Sequence, residues 1–401
     1  MQYIIGIDVA KKSHQATVMN RTGKIVLNSF AFKNSREGFV LFLKKISDVN
    51  KNFSLFEIGM EATGHYWINL YTWLSAEKFL VHVINPLQSG ALRNLYIRPQ
   101  KTDSVDAKII AQVIRIGKYS ETQLCDERLL AVRDLSRQRI FLSDLTADLK
   151  RKVIAMTDRI FPEYQDFFAD TFSKTSAQIL RTCPSAREIL NLKTEELSSI
   201  LRKASRGRFG HGKAALMQDC ARNSFAAKFS PRTVSFLVKQ TMAQIDLLEA
   251  QMKILEKRIS EEMKNFDTKI TQVPGVGAIL AACILSEIGD VKRFSSLKKL
   301  IAYAGIDPSV QQSGEFLGTE NHMSKRGSYY LRRSLWCAAF VAISHDKTIV
   351  AVYKKKKAEG KNYFQCMGFV MKKLLSAIYA ILKTGCDYDE KKLFSEKDAE
   401  E

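Results

Sequence analysis

The sequence predicts an α/β domain followed by a mostly helical remainder. Two patterns carry that prediction. As far as Gly117, short apolar runs suited to strands alternate with stretches whose apolar residues recur at helical spacing; from Glu127 onward the helical spacing takes over.

The elements follow in chain order. Tyr3-Ile4-Ile5-Gly6-Ile7-Asp8 reads as a buried strand that ends in an acid. His14 to Met19 and Lys24 to Phe32 are strand-like and joined across Asn20-Arg21-Thr22-Gly23, whose glycine supplies a hairpin turn. Ser35 starts a helix with Phe39, Phe42, Leu43 and Ile46 on one side. Ser54 to Glu61 is a second apolar strand ending in an acid. A helix with Tyr66, Trp67, Leu70, Trp73 and Leu74 follows, then a strand from Phe79 to Ile84 closed by Asn85-Pro86, and finally a helix from Asp103 to Gly117.

Within Lys101-Thr102-Asp103-Ser104-Val105-Asp106-Ala107, a spacing of three sets Asp103 and Asp106 on one helical face, roughly 5–6 Å apart at Cβ. Such a pair either complements a helix N-terminus or flanks a hard divalent cation, which takes oxygen ligands. Asp8 and Glu61, at the ends of two strands, favour the second reading. Acids at the ends of the first and fourth strands and on a late helix resemble the ribonuclease-H-like fold in its RuvC-like form. That resemblance implies adjacent central strands and convergence of Asp8, Glu61, Asp103 and Asp106 on one metal site.

Composition points to a polyanion partner. The chain has 401 residues, 62 Lys and Arg against 42 Asp and Glu, a net charge of +20 and 46% hydrophobic residues, enough for a sizeable core and two or three domains. No signal peptide and no run approaching eighteen apolar residues is evident, which predicts a cytoplasmic protein with no membrane span. The seven cysteines are scattered, never in a C-x-x-C pair, and read as reduced thiols; the six histidines show no zinc spacing.

Glu127 to Phe161 is one long helical pattern, ended by Pro162, with Arg133, Arg137, Arg139, Lys150 and Arg151 off its apolar side, either solvated or set against phosphates. Leu201 to Ala214 holds Arg202, Lys203, Arg206, Arg208 and Lys213 among three glycines and no acid, and reads as a flexible basic loop for a nucleic-acid backbone. Val238, Ile245, Leu248, Met252, Leu255 and Ile259 follow a heptad, as a coiled coil or as an internal bundle helix.

Val273-Pro274-Gly275-Val276-Gly277 before an apolar helix resembles the turn of helix-hairpin-helix modules, in which backbone N–H groups at Gly275 and Gly277 meet a DNA phosphate; the other reading is a turn between core helices. Downstream, Gly305-Ile306-Asp307-Pro308 and Gln312-Ser313-Gly314 precede Lys325, Arg326, Arg332 and Arg333. A serine in a polar loop ahead of four cations suits a nucleophile amid phosphate-binding charge, although Ser-Gly is more often only a turn.

Taken together, Gly6-Ile7-Asp8-Val9-Ala10-Lys11, Met60-Glu61-Ala62-Thr63-Gly64, the Asp103 segment, the Pro274 turn, Gly305 to Pro308 and Gln312 to Gly314 make the chain similar to the insertion-sequence 110 family of transposases and the related Piv-type DNA invertases. The resemblance implies a RuvC-like metal-dependent catalytic domain (1–125), a helical and coiled-coil linker region with a basic insertion (126–265), a transposase domain with a serine loop (266–345) and a basic helical tail (346–401). It implies Mg²⁺ on Asp8, Glu61, Asp103 and Asp106, and a serine nucleophile at Ser313 or at Ser309 in the same loop. It implies recombination of element ends with target DNA, guided by an RNA from the element, in a homo-oligomer, dimer or tetramer, whose active sites combine both domains. The rival functions are a RuvC-like junction-resolving nuclease that uses water, and a non-catalytic nucleic-acid-binding protein.

Overall fold

The computed structural model describes residues 2–62, 64–93, 102–119, 126–308, 312–313, 316–317 and 322–390, the short stretches at 312–313 and 316–317 by backbone alone. The chain divides into two compact units, Met1–Leu124 and Cys125–Glu401.

The first unit is built on a five-stranded sheet, β1 (Tyr3–Asp8), β2 (Ser13–Asn20), β3 (Ile25–Lys33), β4 (Phe56–Glu61) and β5 (Leu80–Ile84), in the order β3-β2-β1-β4-β5. The first three strands are antiparallel neighbours; β4 runs parallel to β1, and β5 parallel to β4. Strand periodicity then assigns the faces. Ile5, Ile7, Phe56, Ile58 and Met60 pack with α1 (Arg36–Val49) and α2 (Tyr66–Ala76). Ile4 and Ile84 pack with Ile110, Ala111 and Ile114 of α4 (Asp103–Ile116), on the opposite face.

Two glycines let α4 lie close on the sheet. A Cβ at Gly6 would stand 2.0 Å from the Ala107 carbonyl oxygen, and one at Gly59 would stand 2.4 Å from Ile114 Cγ1. Their role is the absence of a side chain, since neither has a positive φ. Thr102 caps α4, accepting the Val105 N–H at 3.4 Å, and Gly117 closes it in the left-handed region. One element was not expected. Asn85-Pro86 reads in sequence as a stop, yet Pro86 opens a helix, α3 (Pro86–Arg93). Proline is favoured at a first helical position because its missing N–H has no partner there.

Among its described residues the second unit is helical apart from a two-rung antiparallel ladder and an isolated bridge between Pro308 and Met323. Its frame is α5 (Glu127–Ile160), then α6 (Lys174–Thr182), α7 (Ala186–Asn191), α8 (Thr194–Ser205), α9 (His211–Arg222) and α10 (Pro231–Met263). After these come α11 (Ala278–Ile288), α12 (Leu297–Ala304), the ladder β6 (Gln312–Ser313) with β7 (Phe316–Leu317), α13 (Tyr329–His345), α14 (Lys347–Ala358) and α15 (Tyr363–Thr384).

Helices α5 and α10 pack along their lengths, antiparallel, as the pairs Arg139–Glu256 (2.8 Å) and Lys150–Glu249 (2.9 Å) show. The heptad face is therefore used within the chain: Val238, Ile245 and Ile259 are buried. The basic face of α5 is largely committed as well, because Arg137 pairs with Glu287 (2.6 Å) and Arg151 with Asp148. One apolar core joins α5 and α10 to α6 through α9, and another gathers α11 through α15.

The basic loop expected from the sequence takes another form. Leu201 to Ala214 is not a flexible loop: Arg202 and Lys203 lie in the last turn of α8, and Lys213 lies in α9, leaving only 206–210 outside helices. Arg206 takes a left-handed conformation (φ 55°), and the Phe209 N–H bonds Ser205 Oγ at 2.8 Å, so the turn is fixed by its own hydrogen bonds. The segment after 346 is helical as far as Thr384, and Met367, Val370, Leu374 and Ile378 of α15 are buried in the same core as α11 and α13. That helix is also long and apolar enough to cross a membrane, with a mean hydropathy of 1.3, although Lys372 and Lys373 interrupt its apolar run in the sequence. Half of it is buried against neighbouring helices, as in a core helix. None of the six described cysteines is in a disulfide.

Candidate active site

The parallel register of β1 and β4 pairs Ile7 with Met60, so Asp8 and Glu61 leave adjacent strands at the same end. Both share the face of Gly6 and Gly59, which is the face α4 covers. Asp103 and Asp106 occupy the first turn of that helix. The close approach permitted by the glycines therefore delivers two helix acids to two strand acids, and the electrostatics register it. Burial pushes the Asp8 carboxyl up to about 6, and the Asp106, Asp103 and Glu61 carboxylates each push in the same direction, with Arg93 pulling against them. Removal from water and like charge both disfavour the anion.

Helix α3 supplies two residues that the sequence pattern did not flag. Arg93 donates to Asp106 Oδ1 through Nε at 3.1 Å and Nη2 at 2.7 Å. Ser89 Oγ stands 2.8 Å from Glu61 Oε2 and 3.0 Å from the Pro86 carbonyl oxygen, and its one proton serves either. The signal for both was Asn-Pro read as the start of a helix rather than the end of a strand. Glu57, two residues before Gly59 on the same face, is occupied differently: Arg21 pairs with it, and His82 Nε2 lies 3.0 Å from Oε1.

Among the described residues, no three Asp, Glu, His or Cys side chains close to the spacing of a metal cage. The donor set nonetheless fits a hard divalent cation: its four carboxylates offer only oxygen, and Asp8 carries repulsion that a cation relieves.

In the second unit, Ser313 pairs with Phe316 in the short ladder, while Ser309 and Gly314 lie outside the described residues, as do Thr63 and Lys101. Later in the chain, Ser324 donates to Asp307, and Lys325 (φ 54°) and Arg326 are exposed. The two arginines further on have work within the chain. Arg332 donates to the Ala304 carbonyl at 3.1 Å, and Arg333 pairs with Asp144 and reaches Tyr329 Oη at 3.0 Å. Gly275 (φ 78°) is explained by packing, since a Cβ there would stand 2.1 Å from the Ala338 carbonyl oxygen of α13. Gly277 is exposed at the start of α11, with nothing within 4 Å of an added Cβ.

Residues 5–162 match the IS110 DEDD family, described as a transposase, and residues 267–354 match the transposase family described as IS116/IS110/IS902. The chain belongs to the IS110 family of transposases. Relatives align over nearly their full lengths. The insertion element IS110 uncharacterized 43.6 kDa protein of Streptomyces coelicolor is 23% identical over 96% of this chain and 95% of its own. The pilin gene-inverting protein of Moraxella lacunata is 23% identical over 96% and 98%, and the mini-circle putative transposase for IS117 of Streptomyces coelicolor is 22% identical over 97% and 96%. As an IS110-family transposase the protein is a DNA-modifying enzyme, and DNA is its substrate. Neither family match reaches residues 163–266, which contain α6 through α9 and the hairpin arm α10.

Proposed function

We propose that this transposase cleaves and rejoins DNA by metal-dependent phosphoryl transfer in a RuvC-like domain, with a serine of the second unit as nucleophile. The observation that carries the proposal is Asp8, whose carboxyl is raised by burial and by three further carboxylates. Crowding of this kind is costly unless a cation offsets it. Asp8, Glu61, Asp103 and Asp106 would hold the ion, Mg²⁺ being the natural choice for an all-oxygen set. A bound divalent ion supplies charge for a phosphoryl oxygen and eases loss of the nucleophile's proton. Arg93 and Ser89 fix two of the four acids and restrain the site.

Ser313 is the proposed nucleophile, with Ser309 its alternative in the same loop. Its Oγ bonds to phosphorus as the P–O bond to the deoxyribose oxygen breaks; serine gives up one proton and the departing oxygen gains one. The phosphoserine link keeps the energy of the broken phosphodiester for rejoining. Lys325 and Arg326, exposed downstream, would offset charge on the transferring phosphoryl group. Arg332 and Arg333 act indirectly by holding the Gly305 loop and α13. Gly277, Arg202, Lys203, Arg206 and Arg208 are proposed phosphate contacts, to the DNA ends or to a guide RNA. Assembly as a dimer or tetramer, work in the cytoplasm and the four-part division at 125, 265 and 345 belong to the same proposal.

The test is to incubate protein, guide transcript, end-labelled DNA and Mg²⁺, denature, and look for label that migrates with protein. The expected adduct disappears in Ser313→Ala and in Asp8→Asn. Its loss in Ser309→Ala instead moves the nucleophile within the loop. Cleavage without any adduct, undiminished in both serine variants, makes water the nucleophile and the protein a junction-type nuclease.

A further inference from the structure

A cavity of about 610 Å³ in the second unit lies where neither family match extends, between the chain around Phe168, the first turn of α6 and the turn that ends α8. Its lining divides by chemistry. Phe167, Phe168 and Phe209 form an aromatic wall, in which the Phe168 and Phe209 rings meet edge to face at 6.1 Å. Lys174, Arg206 and Arg208 stand around it, the two arginines on one rim. Asp170 is the one acid of the lining, and its carboxylate is occupied by the Phe172 N–H at 2.9 Å. Lys213 Nζ lies 5.2–5.6 Å from all three phenyl rings, and Arg208 Cζ lies 5.3 Å from the Phe209 ring, which adds positive charge at the wall.

The turn is built to hold this shape. Arg206 and Gly207 both have positive φ, 55° and 89°, and the Gly207 N–H bonds the Arg202 carbonyl at 2.8 Å. A non-glycine residue held left-handed is uncommon, and here it sets two arginines two residues apart. A pocket of this size takes a small organic group; an aromatic wall takes a flat one, and a cationic rim an anion. Of the ligands a DNA enzyme meets, a single nucleotide unit combines the two: base on the phenyl rings, phosphates on the arginines. A paired base is stacked inside its duplex and cannot enter, whereas an unpaired base offers its π-face to aromatic side chains.

The geometry points to a pocket for one unpaired nucleotide of a single strand, seated between Phe168, Phe209, Arg206 and Arg208. This rests on the reading of the chain as a nucleic-acid enzyme and assigns a role to the helices outside the family matches. A strand threading this pocket would be recognised as single-stranded, with base identity secondary.

The experiment measures binding of a labelled single-stranded oligonucleotide and its duplex to the full chain in EDTA, where no cleavage occurs, with RNA and DNA arms. A photoreactive pyrimidine in the strand should cross-link to the peptides holding Phe167 and Phe168 or Phe209. Phe209→Leu should weaken single-strand binding by roughly five- to a hundredfold, the scale of one base stack, and erase the preference over duplex. Arg206→Gln with Arg208→Gln tests the rim without touching the core. That pair should lower the log–log salt slope by about 0.7 for each phosphate that is no longer neutralised. The arm that binds better identifies the strand as RNA or DNA. Equal binding of single strand and duplex, cross-links that map elsewhere, or an unchanged salt slope in the double variant overturns the pocket. Strand cleavage assayed separately with Mg²⁺ in wild type and Asp8→Asn tells failure of the pocket from failure of the proposed chemistry.

Discussion

The two units treat their acids in opposite ways. In the second, four carboxylates each face a cation from another helix: Glu287 with Arg137, Asp246 with Arg181, Glu188 with Lys239, Asp144 with Arg333. Each pair ties one helix to another. In the first, Asp8 has three acids acting on it and one arginine against them, and its proton affinity rises. Paired acids are joints of the helical frame; the crowded acids are the proposed cation site. The contrast can be broken at either end.

The largest effect is expected at the crowded end. Asp8→Asn keeps the shape and removes one charge, so Mg²⁺-dependent strand cleavage should fall at least about a hundredfold, given several kcal/mol of transition-state stabilisation from such a centre. Circular dichroism should be unchanged. Cleavage within a few-fold of wild type would remove Asp8 from the chemistry.

Next comes the spacing that creates the crowding. Gly6→Ala places a methyl 2.0 Å from the Ala107 carbonyl, so α4 must move away from β1. About 3 kcal/mol of stability should be lost, as for a severe overpacking, and cleavage with it, because Asp103 and Asp106 leave with the helix. A stable, active Gly6→Ala would mean that the acids do not depend on that close approach.

At the paired end, Glu287 is 1% exposed and also accepts from Ser328 Oγ at 2.7 Å. Glu287→Gln leaves Arg137 without its counter-charge, and urea unfolding should show a loss of about 2–3 kcal/mol, less than for a fully buried pair because Arg137 is partly exposed. Substituting Asp103 should cost far less stability. If Glu287→Gln were as stable as wild type, the division between joint and site would not hold.

Much of this was legible in the sequence. Short apolar runs, helical spacing and terminal acids predicted β1 to β5, α1, α2 and α4: β1 and β4, covered on both faces, are apolar nearly throughout, whereas β2 and β3 were marked by the turn between them. The acids' convergence required the parallel pairing of β1 with β4, which the resemblance to a known fold implied and the residues alone did not. Helix α3, and Ser89 and Arg93 with it, was hidden by a proline that both ends strands and opens helices. The cavity beside Phe168 joins residues up to 42 positions apart, Phe167 to Phe209, and no local pattern announces it. Arginine roles were the least legible: Arg137, Arg139 and Arg333 look like phosphate contacts in one dimension, and in three each faces a carboxylate.

The smallest predicted effect is a pH dependence, and its sign separates the two kinds of acid. Asp8 ionises near 6 in the folded protein against a usual 3.8, so folding favours its neutral form. A raised carboxyl contributes stability that is full below the ordinary value and lost as pH climbs through the folded one. Without divalent ions, the stability of wild type minus that of Asp8→Asn should therefore decline between about pH 4 and pH 6 and level off above; Asn, always neutral, has no such term. Arg93→Gln removes the one charge that favours Asp8 ionisation, so its decline should be centred at higher pH. Saturating Mg²⁺ should reverse the trend, since an ion displaces the proton and binds better as pH rises. Paired acids of the second unit predict the opposite slope: Glu188, which its hydrogen bonds to Lys239, Ser235 and Ser185 hold below the usual range against the pull of burial, contributes stability that is lost as pH falls. Thermal unfolding in EDTA across this range, for wild type, Asp8→Asn and Arg93→Gln, decides the point. A wild-type minus Asp8→Asn difference that stays flat from pH 4 to pH 7 would mean Asp8 titrates as an ordinary surface acid and feels no crowding.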